Sequence, residues 1–157
     1  MQSHAPPGYE CPFCRLLRGI ETDLNRLDDI VWQDERTTAL ISPKWWAANQ
    51  GHALVIPNAH VENIYGIEDD LLGAVYATAK RVALGLKRAY LCEGTSTRQH
   101  NEPAGNQDVW HLHVHVFPRY DGDRLYQRHE EHHWTTPAER LPYATKLRAA
   151  LKQVSDT

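Results

Sequence analysis

The longest regular pattern of apolar positions lies between Asp69 and Tyr90. Leu71, Leu72, Val75, Tyr76, Ala79, Val82, Ala83, Leu86 and Tyr90 recur at helical spacing and predict one long amphipathic helix. Glu68, Asp69 and Asp70 crowd its first turn, where the helix dipole favours negative charge. Near the other end of the chain, Thr136-Pro-Ala-Glu139 is a capping box with proline at the first helical position. Tyr143, Leu147, Leu151 and Val154 follow it at helical spacing and predict a final helix. Elsewhere the segments are short and extended. Ile30–Gln33 and Thr37–Ile41 flank the turn-like Asp34-Glu35-Arg36, and His52–Pro57 is an apolar strand stopped by its proline. Thr95–Gln99 and Val109–Phe117 complete the strands, and residues 101–107 are turn-rich. Strands cluster on either side of one long helix instead of alternating with helices. An α+β fold with a mostly antiparallel sheet is expected. One domain is expected over residues 1–157, with a core over about 10–120 and a C-terminal extension carrying the last helix over about 121–157.

Composition narrows the classes. The 157 residues are 41% hydrophobic and 24% charged, which suits a globular core and not a disordered chain. A formal charge of −3 argues against general affinity for nucleic acid or membrane surfaces. No apolar run reaches the roughly 18 residues of a membrane span, and Met1–Glu10 does not resemble a secretory signal. A cytoplasmic location is expected. Two counts stand out: ten histidines and three cysteines. An odd number of thiols cannot pair fully within one chain, which disfavours a disulfide scaffold.

Three of the histidines fall in Trp110-His111-Leu112-His113-Val114-His115-Val116-Phe117. Successive strand side chains point to opposite faces, so Leu112, Val114 and Val116 share a buried face and the three histidines share the other. Mutual repulsion keeps at least some of them neutral, and a neutral imidazole is a nucleophile, a base or a metal ligand. The outer two stand about 14 Å apart on a flat strand, so one ion contacting all three needs a distortion. Split roles are physically easier. The polar turn from Gln99 to Asp108 leads directly into this strand, and its amides and free N–H groups suit phosphate oxygens. Cys11-Pro-Phe-Cys14 reads as a redox dithiol, half a zinc site that needs two further ligands, or chance. Cys92 reads as a small apolar residue.

The His111-x-His113-x-His115 strand followed by two apolar residues resembles the pattern of the histidine-triad (HIT) family of nucleotide hydrolases and transferases. Gly51-His52-Ala-Leu-Val-Ile-Pro57-Asn-Ala-His60 is similar to another family segment, Gln107-Asp108-Val109 to the step before the triad, and Cys11-x-x-Cys14 to the zinc-containing bacterial branch. The resemblance spans about residues 10–120. It implies a HIT-like α+β fold, a homodimer and attack on the α-phosphate of a nucleotide conjugate. His113 would be the nucleophile, forming a nucleotidyl-histidine that water cleaves. His115 would bond the phosphate or leaving group, and His52 would stand near the nucleophile. Gln107 would bind the bridging oxygen or leaving group, with Asn101 or His100 on the phosphate. Cys11, Cys14, His60 and His111 would hold a structural Zn2+, and no catalytic metal is expected. Alternatives of other classes are a nucleotide-binding sensor with little turnover and a metal-dependent hydrolase with the three histidines as ligands.

The chain departs from the family pattern in places. Ser42 stands where relatives carry a ribose-binding aspartate, and His100-Asn101 where many have paired asparagines. The stretch between Pro43 and His52 is long and carries Trp45 and Trp46, which either stack on a ligand or pack on their own domain or a dimer partner. Asp108 would repel phosphate and is expected to turn its side chain away, offering only its N–H. His129, His132 and His133, beside Glu130 and Glu131, are expected on the surface without a role, and His4 is unassigned.

Overall fold

Ladder hydrogen bonds join five strands into an antiparallel sheet in the order β1-β2-β4-β6-β5. These are β1 (Ile30–Gln33), β2 (Thr37–Ile41), β4 (Ala53–Pro57), β5 (Gly94–Gln99) and β6 (Val114–Arg119). A separate ribbon pairs β3 (Lys44–Trp46) with β7 (His132–Trp134). The helices are α1 (Pro12–Leu17), α2 (Asp69–Tyr90) and α3 (Pro137–Val154). The structure, a computed structural model, describes residues 3–154. No helix among them is long and apolar enough to cross a membrane.

The α+β architecture with a mostly antiparallel sheet is the one the sequence predicts, and α2 has the expected bounds. β4 and β5 flank β6 in the sheet, so the connection between them crosses over β6, and α2 is that crossover. It buries Val75, Ala79, Val82 and Leu86 against Val55, Val114 and Val116. The buried stripe is narrower than the periodicity suggests, because Tyr76 is 42% exposed. α3 starts at the expected capping box: the Glu139 carboxylate accepts from the Thr136 N–H at 2.7 Å, and Thr136 Oγ1 accepts from the Glu139 N–H at 3.3 Å. Leu147 and Leu151 then lie against Gly85 of α2. A Cβ on Gly85 would stand 2.7 Å from Leu151 Cδ2, so the two helices meet this closely only over a glycine.

The sheet's opposite face is covered by α1. Cys11, Phe13 and Leu16 pack there against Leu40, Leu54 and Ile56. Alternation along β4 and β6 sends His52, Leu54, His115 and Phe117 toward this second face.

Two sequence expectations change. The strand drawn over Val109–Phe117 starts at Val114 and continues to Arg119. Upstream, the Leu112 N–H donates to the Val61 carbonyl at 2.7 Å and the His111 N–H to the Val109 carbonyl at 2.9 Å, which draws the chain out of the ladder. The stretch 42–51 is not simply a loop, because its Lys44–Trp46 segment is strand β3. There Trp45 packs edge-on to Tyr143 and donates from its indole to the Ser42 carbonyl, while Trp46 packs on Phe117 and Leu125. Both rings are buried in their own chain, the second of the two readings open for them. His129, His132 and His133 are exposed as expected, but the last two belong to the strand that pairs with the tryptophans.

Candidate active site and metal centre

The bend before β6 divides the three triad histidines. His111 turns toward α1, where its Nδ1 lies 3.3 Å from Cys11 Sγ and 3.6 Å from Cys14 Sγ. His60, three residues past β4, brings its Nδ1 to 3.3 Å from Cys14 Sγ. All four ligand atoms lie within 4.8 Å of one another. Tetrahedral zinc with sulfur at about 2.3 Å and nitrogen at about 2.0 Å sets its ligand atoms roughly 3.3–3.8 Å apart, so a Cys2His2 set of this spacing fits Zn2+. The outer nitrogen of His111 donates to the Pro57 carbonyl at 2.9 Å, which fixes the tautomer that leaves Nδ1 free to ligate. Burial holds His111 neutral, with a pKa of about 4.

His113 is 3% exposed. Its Nδ1–H donates to the His111 carbonyl at 2.7 Å, so the unprotonated lone pair sits on Nε2. Phe13 of α1 packs edge-on against the rings of both His111 and His113. His115 follows on β6, its ring centroid 5.0 Å from that of His113. Its Nδ1 lies 3.3 Å from Nε2 of the fully buried His52, whose own Nδ1 has no partner. An unpaired buried N–H costs more than an unpaired acceptor lone pair. The proton of His52 therefore sits on Nε2 and is donated to His115 Nδ1. That leaves an N–H on His115 Nε2.

Burial pushes His52 down to about 3, and the same desolvation lowers His113 and His115, helped at His115 by neighbouring charge. His52 titrates near 6.5 when unfolded. Its contribution to stability is therefore complete above that pH and is lost as the pH falls from 6.5 toward 3, because the unfolded chain takes up a proton that the folded chain refuses. Unfolding free energy is expected to fall between pH 7 and 5, with a slope approaching about 1.4 kcal/mol per pH unit for each such histidine. Denaturant titrations across that range check it, and a flat profile contradicts neutral buried imidazoles.

The other sequence-predicted site residues divide. Ser42 is buried and lines a cavity of about 120 Å3 with Phe13, Leu24, Leu54, His113 and Trp134. Asp108 does not turn away: its carboxylate lies 3.9 Å from His113 Nε2 and 3.9 Å from Lys44 Nζ. The Lys44 cation, brought in by β3, offsets the repulsion that argued against this position. His100 donates from Nδ1 to the Gly105 carbonyl of its own turn at 2.7 Å, and its ring stands 5.9 Å from that of His115. Gln107 and Asn101 are committed to the turn itself. The Gln107 amide donates to the Glu62 and Val109 carbonyls and accepts from the Glu102 N–H. Asn101 bonds Gln99 and the Ile64 N–H. Gln107 thereby spends both N–H groups on backbone carbonyls, while Asn101 Nδ2 donates only to Gln99 Oε1 and has a second N–H. Lys44, Phe13 and Arg98 were not legible as site residues. Each reaches the site through pairing or packing, and only the Cys-x-x-Cys beside Phe13 gave a local signal.

A sheet carrying a bent histidine triad on one face, beside a Cys2His2 cluster, defines the histidine-triad class. The HIT domain pattern matches residues 25–122, and the chain belongs to the HIT-domain family. It is 30% identical over 110 residues to Protein hit of Bacillus subtilis, covering 70% of this chain and 71% of that one. The crystal structure of a Hit-like protein involved in cell-cycle regulation from Bartonella henselae superposes with a TM-score of 0.74 at 27% identity, over 91% of this chain and 99% of that one. A Zn-bound histidine triad family protein from Mycobacterium smegmatis shares the fold, with a TM-score of 0.76 at 24% identity over 94% and 96% of the two chains.

Proposed function

We propose that the chain is a nucleotide hydrolase or nucleotidyl transferase that works through a covalent nucleotidyl-histidine on His113. The observation that carries this reading is the hydrogen bond from His113 Nδ1 to the His111 carbonyl, which aims an unprotonated Nε2 at the site. The lone pair of Nε2 attacks the α-phosphorus, and the bond to the leaving group breaks with its electron pair going to the departing atom. Water then cleaves the P–N bond and restores the imidazole. The N–H on His115 Nε2 serves as the donor to a phosphoryl oxygen, and His52 is the residue that positions it. The apolar lining of Phe13, Leu24, Leu54 and Trp134 offers a face against which the base of a nucleoside would pack.

The test is a panel of nucleoside phosphoramidates, dinucleoside polyphosphates and nucleotide sugars, with acid-labile nucleotide captured on the protein. Turnover with capture supports the covalent reading. Nucleotide binding without turnover on any member replaces it with the sensor reading.

We further propose that zinc held by Cys11, Cys14, His60 and His111 is structural. It would tie α1, and with it Phe13, to the backbone that carries the His113 carbonyl partner. Cys11→Ser is expected to lower zinc from one equivalent per chain to well below one and to lower Tm by several degrees. Metal analysis and calorimetry check this, and unchanged Tm in a metal-free variant would overturn it. A homodimer follows from the family resemblance, and the apolar Tyr76 and Leu84 that α2 leaves exposed support it, with sedimentation as the check.

A further inference from the structure

Two cavities meet at the triad. The apolar one is lined by His113 and His115; the second, of about 280 Å3, is lined by Arg98, His100, Asn106, His115, Phe117 and His129 among others. Lys44, Asp108 and His115 line both, and His113 lines only the first. An α-phosphate at the junction has its nucleoside in the apolar cavity. In-line displacement places the leaving group opposite His113, past His115, in the second cavity.

Arg98 is the unexplained group there. β5 pairs it directly across from His115, so both side chains lie on the same face of the sheet. Its guanidinium stacks 4.5 Å from the Phe117 ring centroid and 5.4 Å from those of Trp46 and Tyr126. Nε and Nη2 are buried without a hydrogen-bond partner, and no carboxylate pairs with Arg98 among the described residues. The neighbouring charges are already matched. Arg119 is bound through two hydrogen bonds to Asp123, and Lys44 faces Asp108. Buried donors of a charged group are normally satisfied, because leaving them bare is costly. The three aromatic faces fix the orientation of the cation but accept none of its N–H groups in-plane.

We infer that Arg98 is the specificity-determining residue for the leaving group, selecting one that carries negative charge as a phosphate or polyphosphate over a neutral amine. The inference rests on the nucleotidyl-transfer reading above. In the step concerned, His113 Nε2 forms its bond to the α-phosphorus while the P–O bond to the next phosphate breaks. The electron pair stays on the departing oxygen, and no proton is needed because phosphate is stable as an anion. His52 and His115 are held neutral by burial and supply hydrogen bonds but no charge, so a fixed cation is what such a leaving group needs beside them.

The test compares wild type, Arg98→Met and Arg98→Lys on adenosine 5′-phosphoramidate and on diadenosine tetraphosphate, and titrates each protein with inorganic pyrophosphate. Methionine keeps an unbranched side chain against the rings. Arg98→Met is expected to lose about 10–100-fold in kcat/KM on the tetraphosphate, the value of a charge-assisted hydrogen bond or two. The loss on the phosphoramidate is expected to be at least tenfold smaller, with Arg98→Lys recovering part of the tetraphosphate activity. Equal losses on both substrates make Arg98 a packing residue and overturn the inference, as does no loss on either. If wild type turns over neither substrate, the proposed reaction fails, and pyrophosphate then decides for Arg98 alone. Binding that disappears in Arg98→Met upholds the anion site, while absent or unchanged binding overturns it.

Discussion

His113→Ala is expected to lower kcat by about four orders of magnitude or more, the scale seen when a covalent nucleophile is removed. The loss should fall on kcat, since the ring is where the phosphorus is attacked and not the main surface that holds the nucleoside. Zinc should stay at one per chain, because the Cys2His2 ligands are Cys11, Cys14, His60 and His111. This pairing of outcomes separates the readings. A variant that keeps its zinc and loses the trapped nucleotide is the nucleophile result. One that loses its metal along with its activity makes His113 a ligand and sinks the covalent scheme. Tm should shift little, although the empty space beside Phe13 has some cost.

The largest expected effect on stability lies away from the site. Arg140 of α3 is fully buried and forks onto Asp29, with Nε 2.8 Å from one carboxylate oxygen and Nη2 3.0 Å from the other. It also donates to the carbonyls of Thr135 and Asp23, so one side chain ties the start of α3 to the turn before β1. Arg140→Met leaves a buried carboxylate with no counter-charge. Breaking such a pair costs about 3–5 kcal/mol, which for a chain of this size lowers Tm by roughly 10 °C. Neither residue lines the cavities at the triad, so kcat should be unchanged at temperatures where the variant is folded. Calorimetry of Arg140→Met and of Asp29→Asn/Arg140→Met checks the cause. The double variant should recover part of the loss, and a single variant within about 2 °C of wild type would falsify it.

Much of the fold was legible because its signals are local. The apolar period from Leu71 to Leu86 specified α2, and Thr136 with Glu139 specified the start of α3. The triad's alternation specified which side of β6 is buried even though the ladder begins only at Val114, since Leu112 still packs with Val114 and Val116. The Cys2His2 set was legible only with the family resemblance beside it, as spacing alone left the cysteines open among three readings. The amides of Gln107 and Asn101 show the opposite case. Their residue types suit phosphate, but the turn they sit in has unpaired backbone groups of its own, and these take both N–H groups of Gln107 and the oxygen of Asn101.

By itself, then, the sequence determined the class of fold, the long helix and the two-faced histidine strand. Each follows from a period or a spacing that a few consecutive residues impose on the backbone. The tertiary structure supplied the bend that gives His111 to the cysteines, a division the family resemblance implied, and it aimed His113 by the carbonyl of His111. It alone set Lys44 against Asp108, laid Arg98 across from His115, joined β3 to β7 and buried Arg140 on Asp29. Those contacts join residues far apart in the chain, and their partners are chosen by strand register and by which surfaces close together. No local pattern encodes either.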